Sequence, residues 1–128
     1  MSIQINILDN GEGVEIKASG IVYGKDIINA HKEIYNEEHL IKQKYHIIDK
    51  SKCTEYDVSS DDIKFMASLD RAASLKNPQI IIAIIESEVL EFSLSSLWQA
   101  HVDDFIFKTK TFTDREHAMS WISDNKPT

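Results

Sequence analysis

Cysteine occurs once, at Cys53, so no disulfide within the chain can staple it and the fold must rest on packing. Proline is almost as scarce, with 2 residues, and glycine occurs only 4 times, which excludes collagen-like and Pro/Gly-rich low-complexity classes and points to short loops. Basic residues are outnumbered: 14 Lys and Arg against 21 Asp and Glu give a net charge of −7. No basic cluster exceeds Lys108-Thr109-Lys110 or the Lys42, Lys44 pair, so the positive surface that nucleic acid or an anionic membrane requires is missing. Long apolar runs are missing too. The longest, Ile80–Ile85, falls far short of the ~20 residues of a membrane span, and no membrane insertion is expected. Gln4, Asn6, Asp9 and Glu12 interrupt the apolar start, so it does not read as a signal peptide and a cytoplasmic location is expected.

What remains is ordinary globular composition, 42% hydrophobic and 27% charged over 128 residues. That suits a single domain over residues 1–128, which at this size buries roughly two-thirds of its unfolded surface.

The clearest structural signal is Gln79–Ile85, a nearly unbroken apolar run preceded by Pro78 and ended by Glu86 and Ser87. Strands covered by helices on both faces are continuously apolar, whereas strands with one wet face alternate, so this run predicts a buried strand of a parallel sheet. Ile3, Ile5 and Ile7 alternate with polar residues, as do Val14, Ile16 and Ala18, and Asn10-Gly11 between them supplies the positive φ angles of a hairpin turn. An antiparallel, half-exposed hairpin is expected there, on one side of the sheet.

From Lys25 to His39 the period becomes helical, with Ile27, Ala30 and Ile34 on one stripe. Tyr45–Asp49 reads as a short strand followed by a polar loop through Asp57. Ser59 or Ser60 then caps a helix whose first turn holds Asp61 and Asp62 and whose buried face is Phe65, Met66, Leu69, Ala72 and Ala73. Asn77-Pro78 ends it. Leu90, Leu94, Leu97, Trp98 and His101 mark a third helix, Phe105–Lys108 a last strand, and Thr113 to Glu116 a capping box that opens a terminal helix bearing Ala118, Met119, Trp121 and Ile122. The order is β-β-α-β-α-β-α-β-α: an α/β fold with a mixed sheet, an N-terminal antiparallel hairpin followed by parallel strands.

That order, the strand Tyr45–Asp49, the capped Ser59–Ile63 segment, the Ile80–Ile85 strand and the closing Thr113–Ile122 helix resemble the STAS-like superfamily of small bacterial domains. This group includes anti-sigma-factor antagonists and relatives of the CRAL-TRIO lipid-transfer fold. The resemblance implies a non-enzymatic role and, in the antagonists, a phosphorylatable serine in an Asp-Ser-Ser-Gly-type turn straight after a central strand. Here Asp49-Lys50-Ser51 follows the strand, the helix start is displaced to Ser59-Ser60, and no glycine follows, so that motif is not intact. Ser59 and Ser60 are the candidate phosphosites, and helix capping is their simpler role.

Catalytic signatures are absent. There is no Gly-x-Ser-x-Gly elbow and no Gly-rich phosphate loop, and the 5 histidines form no metal-binding pair, so neither cofactor nor metal is expected. His31 and His46 read as packed or hydrogen-bonded core residues. His101 with Asp103 or Asp104 is the weaker, enzymatic alternative. Cys53, read in a polar loop beside Lys50 and Lys52, would have its pKa lowered by those charges.

Open α/β sheets bind ligands at the carboxyl ends of their parallel strands, here Asp49–Ser51, Glu86–Glu88 and Lys108–Lys110. With Asp57, Asp61, Asp62 and Glu91 at the neighbouring helix starts, that rim should be acidic and favour a neutral, apolar or cationic ligand or a basic protein. Phe92 and Trp98 on the third helix are candidates for an apolar pocket, and Phe92 lies off the main stripe, as partner-facing residues do. The expected binding residues are therefore Asp49, Ser51, Glu86, Phe92 and Trp98. The expected function is a binding module: a regulatory protein-interaction domain whose partner is another protein or, as a homodimer, itself. The alternative is a carrier or sensor of a small apolar, lipid-like ligand held beneath the third helix.

Overall fold

The computed structural model describes residues 3–86 and 107–128. Five strands lie in chain order in one sheet: β1 (Ile3–Leu8), β2 (Gly13–Tyr23), β3 (Tyr45–Asp57), β4 (Ile81–Ile85) and β5 (Lys108–Phe112). β1 is antiparallel to β2, and the later neighbours pair in parallel, so the mixed α/β sheet is as the sequence predicts. The described helices are α1 (Gly24–Ile34), α2 (Glu37–Leu40), α3 (Ser60–Lys76) and α4 (Arg115–Asn125). The third helix expected around Leu90 to His101 lies outside the described residues.

The hairpin turn forms as its residues dictate. Asp9, Asn10 and Gly11 all take positive φ (50°, 57° and 98°), a conformation that Asn, Asp and Gly tolerate best. A Cβ on Gly13 would collide with the Tyr45 ring, which packs across the start of β2.

Four expectations need correction. The polar stretch after Asp49 is strand rather than loop: β3 continues to Asp57 because β2 runs on to Tyr23 and pairs with it. β1 ends its pairing at Ala18 and β4 at Asp49, so this extension is a two-stranded ribbon, and its exposed flanks suit polar residues. The helix expected over Lys25–His39 is two, since the chain breaks at Tyr35 and Asn36 caps α2 by accepting from the Glu38 N–H at 3.0 Å. The last strand is Lys108–Phe112, one neighbour wide at the sheet edge, where alternating lysines meet solvent rather than disrupt a core. The α4 cap is Asp114 rather than Thr113; it accepts from the His117 N–H at 2.8 Å.

The inward face of α3 is also rotated from expectation. Ile63, Met66, Ala67, Asp70, Ala73 and Ser74 are buried, while Phe65 and Leu75 are exposed. Asp70 is the cause: a carboxylate at the middle of the buried face breaks the apolar stripe that sequence periodicity seeks. Ser59 does cap α3, in a reciprocal capping box with Asp62 at 3.1 Å in each direction.

Both α1 and α3 cover one face of the sheet, as crossovers of one hand moving steadily across it must. There they pack on Val14, Ile16 and Ala18 of β2 and on Ile82 and Ile84 of β4. α4, which follows the last strand and crosses nothing, covers the opposite face through Ala118 and Ile122 against Tyr45, Ile47, Ile81, Ala83 and Ile85. All five residues of β4 are buried because both faces are covered. The helix–sheet layer on the α1/α3 side is the one that holds the site.

Candidate functional site

Within the α1/α3 face, side chains fail to close the space between helix and sheet, leaving a cavity of about 70 Å³. Its floor is Ile16 and Ala18 of β2, Ile48 of β3 and Ile84 of β4; its roof is Ile27 and Ala30 of α1 and Ile63 and Met66 of α3. Alanines at 18 and 30 leave space that larger side chains there would occupy. Three polar residues, His31, Lys50 and Tyr56, complete the lining.

Lys50 follows His46 and Ile48 at the strand period, so the pleat turns it toward the helices. Its ammonium lies 3.9 Å from the Glu86 carboxylate and 5.3 Å from the centre of the Tyr56 ring. Glu86 is the residue after β4, buried at 4% exposure, and Lys50 gives its carboxylate a cationic partner there. Burial lowers the Lys50 pKa, with Glu86 and Cys53 opposing that shift. The Tyr56 hydroxyl is buried with no hydrogen-bond partner of adequate geometry among the described residues, although the Cys53 thiol lies near enough to act on it. Burial, then that thiol, then Glu86 push the phenol well above its ordinary pKa.

At the deep end, the α1/α3 packing is polar. Tyr35 donates to Asp70, whose carboxylate also lies 3.6 Å from His31 Nε2, and the other His31 nitrogen lies 2.9 Å from the Ile27 carbonyl. Gln43 donates to the Ile34 carbonyl at 2.7 Å, which turns its amide oxygen toward His46 Nε2 at 2.7 Å and so assigns the imidazole proton to that nitrogen. Both histidines are core residues, as expected.

Of the binding residues expected from sequence, the described acidic pair lies on opposite faces of the sheet. Glu86 belongs to the cavity face. Asp49 lies on the opposite face, 3.7 Å from Arg115 of α4, and its carboxylate accepts from the Ser51 backbone and hydroxyl at 3.0 and 2.6 Å. One residue of register separates Asp49 from Lys50, which is enough to send them to opposite sides of the sheet. Ser59 caps α3, and Ser60 is the exposed first residue of that helix. Phe92, Trp98 and His101 lie outside the described residues.

Cys53 corrects another expectation. It is 1% exposed within β3, and burial raises its pKa against the lowering effects of Tyr56 and Lys50, the reverse of an activated thiolate. Nor is the rim simply acidic, because Lys50 sits at its centre. Lys50 and Tyr56 were legible only if β3 had been read through to Asp57. The period-2 series His46, Ile48, Lys50 was the available signal.

Among the described residues no group of three or more His, Cys, Asp or Glu side chains is placed to hold a metal ion, and no helix is long and apolar enough to cross a membrane.

A mixed five-stranded sheet in this order, with helices on both faces, defines the STAS-like α/β fold. The chain has a SpoIIAA-like form of it: it is similar to the crystal structure of an uncharacterised protein of the DUF3478 family with a SpoIIAA-like fold from Shewanella loihica PV-4. The TM-score is 0.57 at 20% sequence identity, over 94% of this chain and 93% of that one. At that identity the likeness establishes the fold alone. No protein-family model and no curated protein matches the sequence.

Proposed function

We propose that this protein is a non-enzymatic binding module whose cavity between the sheet and α1/α3 takes a small apolar ligand. The cavity carries the reading: its walls are mostly apolar, and two of its three polar residues, Lys50 and Tyr56, lie in β3 beyond Asp49, past the carboxyl end of its pairing with β4, the side on which open α/β sheets bind ligands. At about 70 Å³ it has roughly half the volume of the ~150 Å³ cavity that admits benzene in an engineered protein, so it suits a short chain of a few heavy atoms rather than a whole lipid tail.

Isoleucine methyl NMR tests this without further labels. Titration with 1-butanol should shift Ile16, Ile27, Ile48, Ile63 and Ile84, which line the cavity, and leave Ile47, Ile81 and Ile85 on the α4 face unmoved. Uniform small shifts, or none, would remove the reading.

A second reading, a regulatory protein-interaction domain, is favoured by the outer face of α3. Phe65 and Leu75 are 43% and 76% exposed, with Leu69 half-buried and Ala72 exposed between them, an apolar stripe at helical spacing that faces solvent. Sedimentation velocity of the wild type and of Phe65→Glu with Leu75→Glu tests it. Self-association that the double substitution abolishes supports a homodimer through this stripe, and a monomer in both cases leaves the stripe without a self-partner.

A further inference from the structure

We propose that Lys50 is a carbonyl-capturing amine, which forms a reversible imine with short apolar aldehydes that enter the cavity. The inference rests on the ligand-binding reading above and names its substrate class. Three observations meet at one place. Lys50 lines a cavity whose remaining walls are almost wholly apolar, so a short alkyl chain would sit against Ile48 and Ile84 with its head group at the amine. The Glu86 carboxylate lies 3.9 Å from Lys50 Nζ, an ion-pair contact longer than a hydrogen bond, from which it would have to close on the amine when ligand binds in order to take and return the proton that imine formation moves. Tyr56 lines the same cavity, and its buried hydroxyl, which meets the neighbouring Cys53 thiol without a hydrogen bond of good geometry, is a donor that a carbonyl oxygen would satisfy better.

Charge restricts the head group to a neutral one. A carboxylate ligand would meet the buried negative charge of Glu86, and an alkylammonium ion would compete with Lys50 for that same carboxylate. A neutral carbonyl does neither. It accepts from Tyr56 and presents its electrophilic carbon to the amine.

The chemistry balances without a further reagent. The ammonium passes one proton to Glu86, the amine lone pair forms a C–N bond at the carbonyl carbon as the C=O π pair moves onto oxygen, and a proton then passes from nitrogen to that oxygen to give a neutral carbinolamine. Protonation of its hydroxyl by Glu86 lets the C–O bond break, water leaves with the former carbonyl oxygen, and hydrolysis reverses each step. Desolvation is the usual way a lysine is made nucleophilic near neutral pH, and burial lowers the Lys50 pKa accordingly.

The test is reductive trapping on the full chain. Wild-type protein is incubated with butanal and cyanoborohydride at pH 7, and the adducts are mapped by peptide mass spectrometry. Lys50 should be butylated at least about tenfold faster than exposed lysines such as Lys76, as expected for a desolvated amine. 1-Butanol, which fills the cavity but forms no imine, should protect Lys50 and leave Lys76 unaffected. Lys50→Arg should remove the fast adduct. Equal labelling of Lys50 and Lys76, or labelling of Lys50 that 1-butanol does not slow, overturns the proposal. If 1-butanol shifts the cavity methyls and Lys50 is not preferentially labelled, the capture chemistry fails and the binding module stands. If it shifts none of them, the binding reading fails with it.

Discussion

Tyr35 and Asp70, 35 residues apart in sequence, share a hydrogen bond that joins α1 to α3 above the sheet. Asp70 is 1% exposed, and its carboxylate also faces His31, one helical turn before Tyr35. A buried carboxylate is tolerable only with such partners, and it holds the Tyr35 phenol well above its ordinary pKa, after the larger effect of burial. The pair ties the C-terminal end of α1 to the middle of α3.

Removing the two partners should have unequal effects. Tyr35→Phe leaves the carboxylate with His31 and should cost about 1–2 kcal/mol, whereas Asp70→Ala strands both the phenol and the imidazole and should cost about 3 kcal/mol or more. Urea denaturation with the m-value checked for constancy measures both. Equal losses would mean that the helices are held by their apolar contacts alone.

Stability should fall in mild acid because of His46. Burial, followed by the nearby His31, depresses its pKa from 6.5 to about 3, so between those values the unfolded chain binds a proton that the folded chain does not. Stability is therefore fully present above pH 6.5 and is lost as the pH falls toward 3, at up to about 1.4 kcal/mol per pH unit from this one group. Urea midpoints measured from pH 7.5 to 5 should show the decline, and His46→Gln should flatten it.

On the opposite face, Glu15 is buried at 3% exposure beneath Arg115, with Asn6 donating to it at 3.2 Å. Arg115→Ala should destabilise the fold by about 2 kcal/mol, because it leaves a carboxylate desolvated with a single neutral partner. Adding Glu15→Gln should recover most of that loss. A double-mutant cycle by thermal unfolding reads the coupling, and strict additivity would refute it.

Ser59 and Ser60 are chemically alike and structurally distinct. Ser59→Ala removes an acceptor from the Asp62 N–H and should cost about 1 kcal/mol, whereas Ser60→Ala, with no cap to lose, should stay within about 0.5 kcal/mol of wild type. Equal effects in chemical denaturation would reassign the cap.

The sequence by itself determined the N-terminal hairpin, the buried β4 strand and a serine cap on α3. Alternation in Ile3 to Ile7 and Val14 to Ala18, the Asn10-Gly11 turn, the unbroken Ile80–Ile85 run and the Ser59 cap are local or period-2 signals, and each is satisfied where it stands. The tertiary structure decided what local signals do not contain. The second half of β3 is polar because it is paired only to β2 and wet on its flanks, so its strand character comes from a partner some 30 residues earlier in the chain. The buried face of α3 is centred on a carboxylate that meets Tyr35 and His31 from the α1 segment. Lys50 and Glu86 meet across neighbouring strands while Asp49 turns away, because the pleat alternates sides at every residue and only the settled register says which side is covered.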